Sequence, residues 1–317
     1  MATTKRTART EKRDMFQETT DKIVAMLEAG TAPWRKPWTS ADAPRNIEGR
    51  PYNGINVFIL GMQPFTNPFW MTFNQAKARG GNVRKGEKGT LVVFWKIMRV
   101  TDKDEKSGEK VSKTIPMLRS FTVFNVEQTE NVNLPRKVRD WKPTQVSEFE
   151  GYEAAEKIMA EYPDAPAVLT GSAAFYVPAS DTITLPARES FHSPAEFYST
   201  AFHEMGHSTG HEKRLNREGI ANIGAFGTHE YGREELVAEM TAAFLAAEAG
   251  IEVTHDNSAA YLASWVRTIK ADPRAVVVAA GKAQKAAEHI LGRAAIADVE
   301  MDEDAPVEAA EGVTLAA

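Results

Sequence analysis

His203-Glu204-Met205-Gly206-His207 is the stretch on which the reading of this 317-residue chain turns. Positions four apart on a helix share one face, so His203 and His207 can direct two imidazoles at one metal ion. Glu204 follows the first histidine, where its carboxylate can take a proton from a water beside that ion. This is the spacing of an H-E-x-x-H zinc site. Five-residue patterns arise by chance, so the surroundings decide its worth.

Those surroundings predict a helix. Ser193-Pro194-Ala195-Glu196 places Ser at the N-cap, Pro at the first helical position and Glu three residues after the cap. Only Gly206 interrupts the run before Gly210, the expected stop. Phe202 and Met205 are assigned to the core side. A catalytic zinc usually has three protein ligands, and Arg233–Leu245 is a second strongly helical run that can supply the third. Its Glu235 and Glu239 are again four apart. One would bind the metal and the other would accept a hydrogen bond from a ligand imidazole. Glu235 is taken as the ligand and Glu239 as the acceptor, the reverse staying open. Leu236, Val237, Met240, Phe244 and Leu245 make this a core helix, where unpaired carboxylates are costly. His211 is a rival ligand, but the metzincin pattern fails at Lys213, so His211 is expected to end the helix or touch substrate. His229, Tyr231, His255 and Tyr261 are candidates to stabilise an oxyanion, with Tyr231, one turn before Glu235, the first choice.

Composition bounds the rest. The chain has no cysteine, which excludes disulfides and thiolate metal sites and favours a reducing cytosol. The basic start, Met1 to Arg9, is not followed by the apolar segment of a secretory signal. No stretch approaches the ~20 apolar residues of a membrane span. A soluble, cytoplasmic protein is expected. The net charge of −5 hides an asymmetry: residues 1–145 hold 26 Lys and Arg against 15 Asp and Glu, whereas residues 146–317 hold 12 against 28. Two modules with different partners are expected, the basic one facing a polyanion. The stretch from Asp298 to Ala317 is acidic and rich in small residues, and is expected to be disordered.

Along the basic half, residues 10–28 read as an amphipathic helix with Phe16, Ile23, Val24 and Leu27 on one side, closed by Gly30. Pro33-Trp34-Arg35-Lys36-Pro37-Trp38 is irregular. Phe69–Gln75 leads into a short helix, and Val83–Gly89 is a basic turn feeding a strand over Thr90–Val100. Residues 101–113 read as a hairpin loop and Met117–Val126 as the returning strand. Aromatics interleaved with cations suit single-stranded nucleic acid, whose bases stack on rings while phosphates track the charges. The candidate contacts are Trp34, Trp38, Tyr52, Trp70, Arg84, Lys85 and Lys88, with Arg35, Lys36 and Asn56 beside them. Downstream, Ala174–Leu185 reads as strand–turn–strand, and Asn257–Ile269 and Pro273–Leu291 as helices, with Tyr261, Trp265 and Ile269 on one core face.

Taken together these segments resemble the ArdC-type antirestriction proteins of conjugative plasmids and related mobile elements. The resemblance runs over about residues 10–295. It rests on Trp34-Arg-Lys-Pro-Trp38, Tyr52-Asn-Gly-Ile-Asn56, Trp70-Met-Thr-Phe-Asn-Gln-Ala76, Gly81–Gly89, Val123–Thr129, Phe175–Pro186, His203–His207 and Glu234-Glu-Leu-Val-Ala-Glu239. It implies an α+β protein of two domains. The first is a small α+β domain binding single-stranded DNA without strong sequence preference, and the second a mostly helical zincin-like (gluzincin) metallopeptidase domain with a small sheet. Glu235 matches the glutamate that opens the family's E-x-x-A-E pattern. The expected division is a basic tail to residue 9, a DNA-binding domain over 10–130, a linker over 131–147, the metallopeptidase domain over 148–296 and an acidic tail over 297–317. Zinc is the expected cofactor, with manganese the other candidate. The partners are single-stranded DNA and, as substrate or target, a host restriction-system protein. The role implied is protection of incoming DNA during conjugation. The competing reading is a DNA-coating protein whose zincin domain is structural or docks a partner.

Overall fold

A computed structural model describes residues 15–30, 32–35, 43–103, 110–143, 148–217, 220, 229–251 and 259–294. The first helix, α1 (Met15–Glu28), buries Ile23, Val24 and Leu27, three of the four residues whose spacing marks its apolar side. The side chain of Phe16 lies outside the described residues. Gly30 follows with φ +81°, the left-handed conformation that ends helices.

Next come β1 (Arg45–Asn46), α2 (Ile55–Gly61), β2 (Phe69–Thr72), α3 (Phe73–Ala78), β3 (Asn82–Val83), β4 (Thr90–Lys103), β5 (Lys110–Asn125), β6 (Thr129–Glu130) and α4 (Arg136–Arg139). Four strands form one sheet in the order β1-β2-β5-β4, and β3 pairs with β6. The long hairpin runs in register from Thr90 opposite Val123 to Lys103 opposite Lys110. Most of the stretch expected as a loop at 101–113 is therefore strand, because continuous cross-strand pairing overrides the weak local preference of its charged residues. Residues 104–109 lie outside the description.

Strand β2 is central and covered on both faces. Phe69 and Met71 join Ile47, Ala76, Val126 and Val138 on one side. Trp70 joins Tyr52, Val57, Leu60, Val92 and Val123 on the other. This is the period-two alternation of a strand with core on both sides. At the sheet's edge, the Asn56 side chain donates to the Val93 carbonyl at 2.6 Å and accepts from its N–H at 2.8 Å. It fastens α2 to β4 in place of a further strand.

The second half comprises α5 (Glu148–Ala160), a three-stranded sheet of β7 (Ala167–Thr170), β8 (Phe175–Val177) and β9 (Thr182–Leu185), and then α6 (Pro194–Ser208), α7 (His229–Ala249), α8 (Ala259–Ala271) and α9 (Ala275–Ile290). The sheet order is β7-β9-β8. Strands β8 and β9 are antiparallel about the expected turn, where Asp181 sits at φ +50°. The architecture is α+β, with a mixed first half and a mostly helical second half. No helix among the described residues is long and apolar enough to cross a membrane.

The two halves share a core. Ile23, Leu27, Trp34 and Phe58 pack in one cluster with Leu236, Met240, Trp265, Ile269 and Val276. The Trp34 ring meets Phe58 and Trp265 edge-on at centroid distances of 6.4 and 5.3 Å. The Thr20 hydroxyl donates to the Pro273 carbonyl at 2.6 Å, and Lys270 pairs with Glu28 at 2.7 Å. Within 131–147, α4 is ordered and Val138 is buried, so this stretch is partly structure rather than a free linker.

Replacing Trp34 with alanine opens a cavity at this junction. Stability is expected to fall by about 3–5 kcal/mol, read as a lower midpoint in chemical denaturation.

Candidate metal centre and nucleic-acid face

Helix α6 begins as its sequence directs. The Ser193 hydroxyl accepts from the Glu196 N–H at 3.2 Å, the Glu196 carboxylate accepts from the His192 N–H at 2.8 Å, and Pro194 takes the first helical position. Gly206 then lets α6 press on α7. A Cβ there would lie 3.0 Å from the Ala238 Cα and 3.2 Å from its carbonyl oxygen. The close crossing sets the histidines of α6 against the carboxylates of α7.

His203 Nε2 and His207 Nε2 lie 3.1 Å apart. The two oxygens of Glu235 stand 3.6 Å from the first nitrogen and 3.5 Å from the second. Ligand atoms about 2.0–2.1 Å from a tetrahedral ion must be about 3.3–3.4 Å from one another. Glu235 Oε2 is the oxygen near His203 and Oε1 the one near His207, so the three side chains converge at separations close to those of a divalent cation's ligands. Among the described residues they form the one group of His and carboxylate side chains whose ligand atoms lie within 4.8 Å of one another.

Each imidazole is backed by a further carboxylate. Glu239 Oε2 faces His203 Nδ1 at 3.4 Å, and Glu234 Oε1 faces His207 Nδ1 at 3.6 Å. These contacts leave both Nε2 atoms aimed at the common point. Glu234 is itself clamped by the buried Arg217, whose Nε donates to it at 3.1 Å and whose Nη2 donates to it and to the Gly206 carbonyl at 2.9 Å. Arg217 also reaches the Thr209 hydroxyl, which ties the turn after α6 to the site. Arg214 anchors the same turn to the sheet through Asp181, and donates to the Ser208 carbonyl at 2.7 Å.

The electrostatics follow from this packing. Burial opposes a proton on His207, but Glu234 and Glu235 outweigh it and its pKa is pushed up to about 9. Burial likewise opposes charge on His203, yet Glu235 and Glu239 hold it well above the histidine range. Burial would raise the Glu235 carboxyl, and the two imidazoles instead hold it below the carboxylate range. The carboxylates thus favour positive charge at the imidazole edge, whether carried by protons or by a cation.

Glu204 is buried on α6, and its charge adds to the field favouring protonation of His203. Tyr231 is half-buried on α7, one turn before Glu235. His211 lies in the turn after α6, where its Nδ1 accepts from the Lys213 N–H at 3.2 Å, and it is not part of the three-residue cluster. His255 and the side chains of His229 and Tyr261 lie outside the described residues. Sequence reasoning missed Glu234 and Arg217. A third carboxylate beside Glu235 was visible, but nothing in the spacing tied it to an arginine seventeen positions away.

The nucleic-acid candidates divide sharply. Trp34 is 1% exposed, Trp70 2%, Asn56 4% and Tyr52 8%. All four are corrected to core residues: stacking needs a ring face open to solvent, and the Asn56 amide is spent on Val93. Arg84, Lys85 and Lys88 are exposed on the turn between β3 and β4. Glu87 pairs with Arg84 at 2.7 Å, and the Gln128 side chain holds the turn by donating to Glu87 at 3.0 Å and to the Lys88 carbonyl at 2.9 Å. Lys36, Trp38 and the side chain of Arg35 lie outside the described residues.

Gly206→Ala tests the helix crossing. The overpacking against the Ala238 backbone, about 1–3 kcal/mol, should outweigh the gain of about 1 kcal/mol in helix propensity. A lower denaturation midpoint is expected, and an unchanged or raised midpoint would show that the crossing has room.

Comparison with known proteins places the two halves. Residues 13–124 match the N-terminal domain of anti-restriction factor ArdC, and residues 153–282 match a zincin-like metallopeptidase family. The chain is 37% identical over 299 residues to a DNA primase TraC of Escherichia coli and 35% identical over 323 residues to another. It spans only 20% and 29% of the lengths of those primases, while they cover 88% and 96% of it. An uncharacterized protein, y4eC, of Sinorhizobium fredii is 32% identical, with 90% of this chain and 94% of that one covered. Among solved structures, the antirestriction ArdC protein of plasmid R388 aligns in its metal-free form with a TM-score of 0.69 at 37% identity, over 89% of this chain and all of that one. Its Mn(II)-bound form aligns with a TM-score of 0.67 at 36% identity, over 88% and 98%. With both halves matched in order, and relatives aligned over nearly their full length, the chain belongs to the ArdC-type antirestriction family.

Proposed function

We propose that this protein binds single-stranded DNA without sequence preference and carries a metal-dependent peptidase site, protecting incoming DNA during conjugation. The observation that carries the enzymatic half is the convergence of His203, His207 and Glu235 on one point, with the buried Glu204 close enough for its charge to act on His203. These three would hold a divalent cation. Two imidazoles and a carboxylate suit zinc, and the Mn(II) form of the R388 relative makes manganese the alternative. When bound, the cation supplies Lewis-acid activation of water and of the scissile carbonyl.

The chain's own residues do the rest. Glu204 takes a proton from the attacking water and passes it to the departing amine nitrogen. Glu239 and Glu234 hold the two imidazoles in the tautomer that leaves Nε2 as the donor. Tyr231 is the candidate to meet the oxyanion. The free edges of the three-stranded sheet, β7 and β8, offer an extended peptide main-chain pairing. A host restriction-system protein is the proposed substrate or target.

DNA binding is supported by the match to the ArdC N-terminal domain and by the exposed cations at Arg84, Lys85 and Lys88. The occurrence of a related segment within TraC DNA primases fits a role on transferred DNA.

Glu204→Ala separates catalysis from binding. The variant should keep its metal and its DNA affinity while peptide hydrolysis falls by about a hundred-fold or more. Antirestriction that persists in this variant would assign protection to DNA coating instead. Glu234→Gln and Arg217→Met should each weaken cation affinity about 10–100-fold in chelator competition.

A further inference from the structure

Among the described residues of the basic half, one large aromatic is exposed that the residue pattern did not single out. Phe73, at the first turn of α3, is 46% exposed. An exposed phenylalanine alone needs no explanation. This one has a cation beside it: Lys77 Nζ lies 5.7 Å from its ring centroid, one turn along the same helix. Lys77 also reaches the Asn82 side chain, so α3 is joined to β3, the strand that runs directly into Arg84 and Lys85.

The ring stands on a rigid base. Thr72 and Gln75 form a complete capping box, with the Thr72 hydroxyl accepting from the Gln75 N–H at 3.2 Å and the Gln75 side chain accepting from the Thr72 N–H at 2.9 Å. Ala76 beneath it is fully buried. Lys85 and Lys88 form no ion pair with a carboxylate among the described residues, whereas Arg84 is shared with Glu87. An exposed aromatic ring on a capped helix, a cation over it and, on the adjoining turn, two lysines without an ion pair among the described residues are the parts of a single-strand platform: a base stacks and the phosphates follow the charges.

We propose that Phe73 is the stacking surface for a base of single-stranded DNA, with Lys77, Lys85 and Lys88 holding the neighbouring phosphates. This deepens the DNA-binding reading above and rests on it. The occupant is a single strand rather than a duplex, because a paired base within a stacked helix has no free face to offer the ring.

The test is titration of the full chain with a labelled mixed-sequence oligonucleotide and with an abasic strand of the same length. Phe73→Ala should bind the normal strand at least about five-fold more weakly, the lower end of the cost of one base–aromatic stack. Phe73→Tyr should restore binding. On the abasic strand, wild type and Phe73→Ala should bind equally. The salt dependence should be unchanged in Phe73→Ala and shallower in Lys85→Ala and Lys88→Ala, since only the lysines release counterions. Equal affinity of wild type and Phe73→Ala for the normal strand would overturn the proposal and leave DNA binding standing. Failure of wild type to bind either strand would remove both. Because Phe73 is exposed, thermal melts of the variants should match wild type, so that a binding loss reads as a lost contact.

Discussion

The close crossing of α6 and α7 at Gly206 and Ala238 is the constraint from which the candidate metal centre follows. A helix pair normally stands 8–10 Å apart, the distance depending on the side chains between. With no Cβ at Gly206, the spacing is set by backbone contact. Two histidines and three glutamates of adjoining turns can then meet without long, flexible side chains bridging a gap. The same crossing creates an electrostatic problem: Glu204, Glu234 and Glu239 are buried and Glu235 nearly so. Buried carboxylates persist only when paired. Here the imidazoles, Arg217 and the proposed cation are the partners, so the core helix and the site depend on one another.

The second organising feature is the shared core around Trp34. The family matches divide the chain into 13–124 and 153–282, as would two separate units. Physically α1, Trp34 and α2 pack against α7, α8 and α9. The ArdC N-terminal-like half and the zincin-like half therefore rest on common helices. α7 contributes Leu236 and Met240 to this core and Glu235 and Glu239 to the metal centre, on different sides of the same turns.

What was legible in the residues was the local part. The Ser193 cap, the apolar sides of α1 and α8, the strand–turn–strand over 174–185 and the i, i+4 spacing of the histidines on α6 and of the glutamates on α7 all follow from short-range pattern. What was not legible depends on tertiary placement. Trp70 stands in the aromatic-rich run Phe69-Trp-Met-Thr-Phe73 of a basic half, but its strand is central and both faces are covered. Trp34 lies beside cations in sequence and among helices from the far end of the chain in space. Burial of an aromatic is decided by what arrives from elsewhere, so adjacency to lysine and arginine could not separate a platform from a core residue. Glu234 and Arg217 belong to the same class: a pair made by the fold, with no periodicity to announce it.

Asn56 carries a consequence for colloidal behaviour. Its side-chain amide has the donor and acceptor of a peptide group, and it spends both on Val93. Strand β4 is an outer strand, the kind of open main chain onto which a second molecule can add. With its N–H and C=O at Val93 already engaged, β4 cannot be extended at that point by a foreign strand. A single buried amide thus interrupts, at Val93, the open edge of a fourteen-residue strand, which works against edge-to-edge self-association.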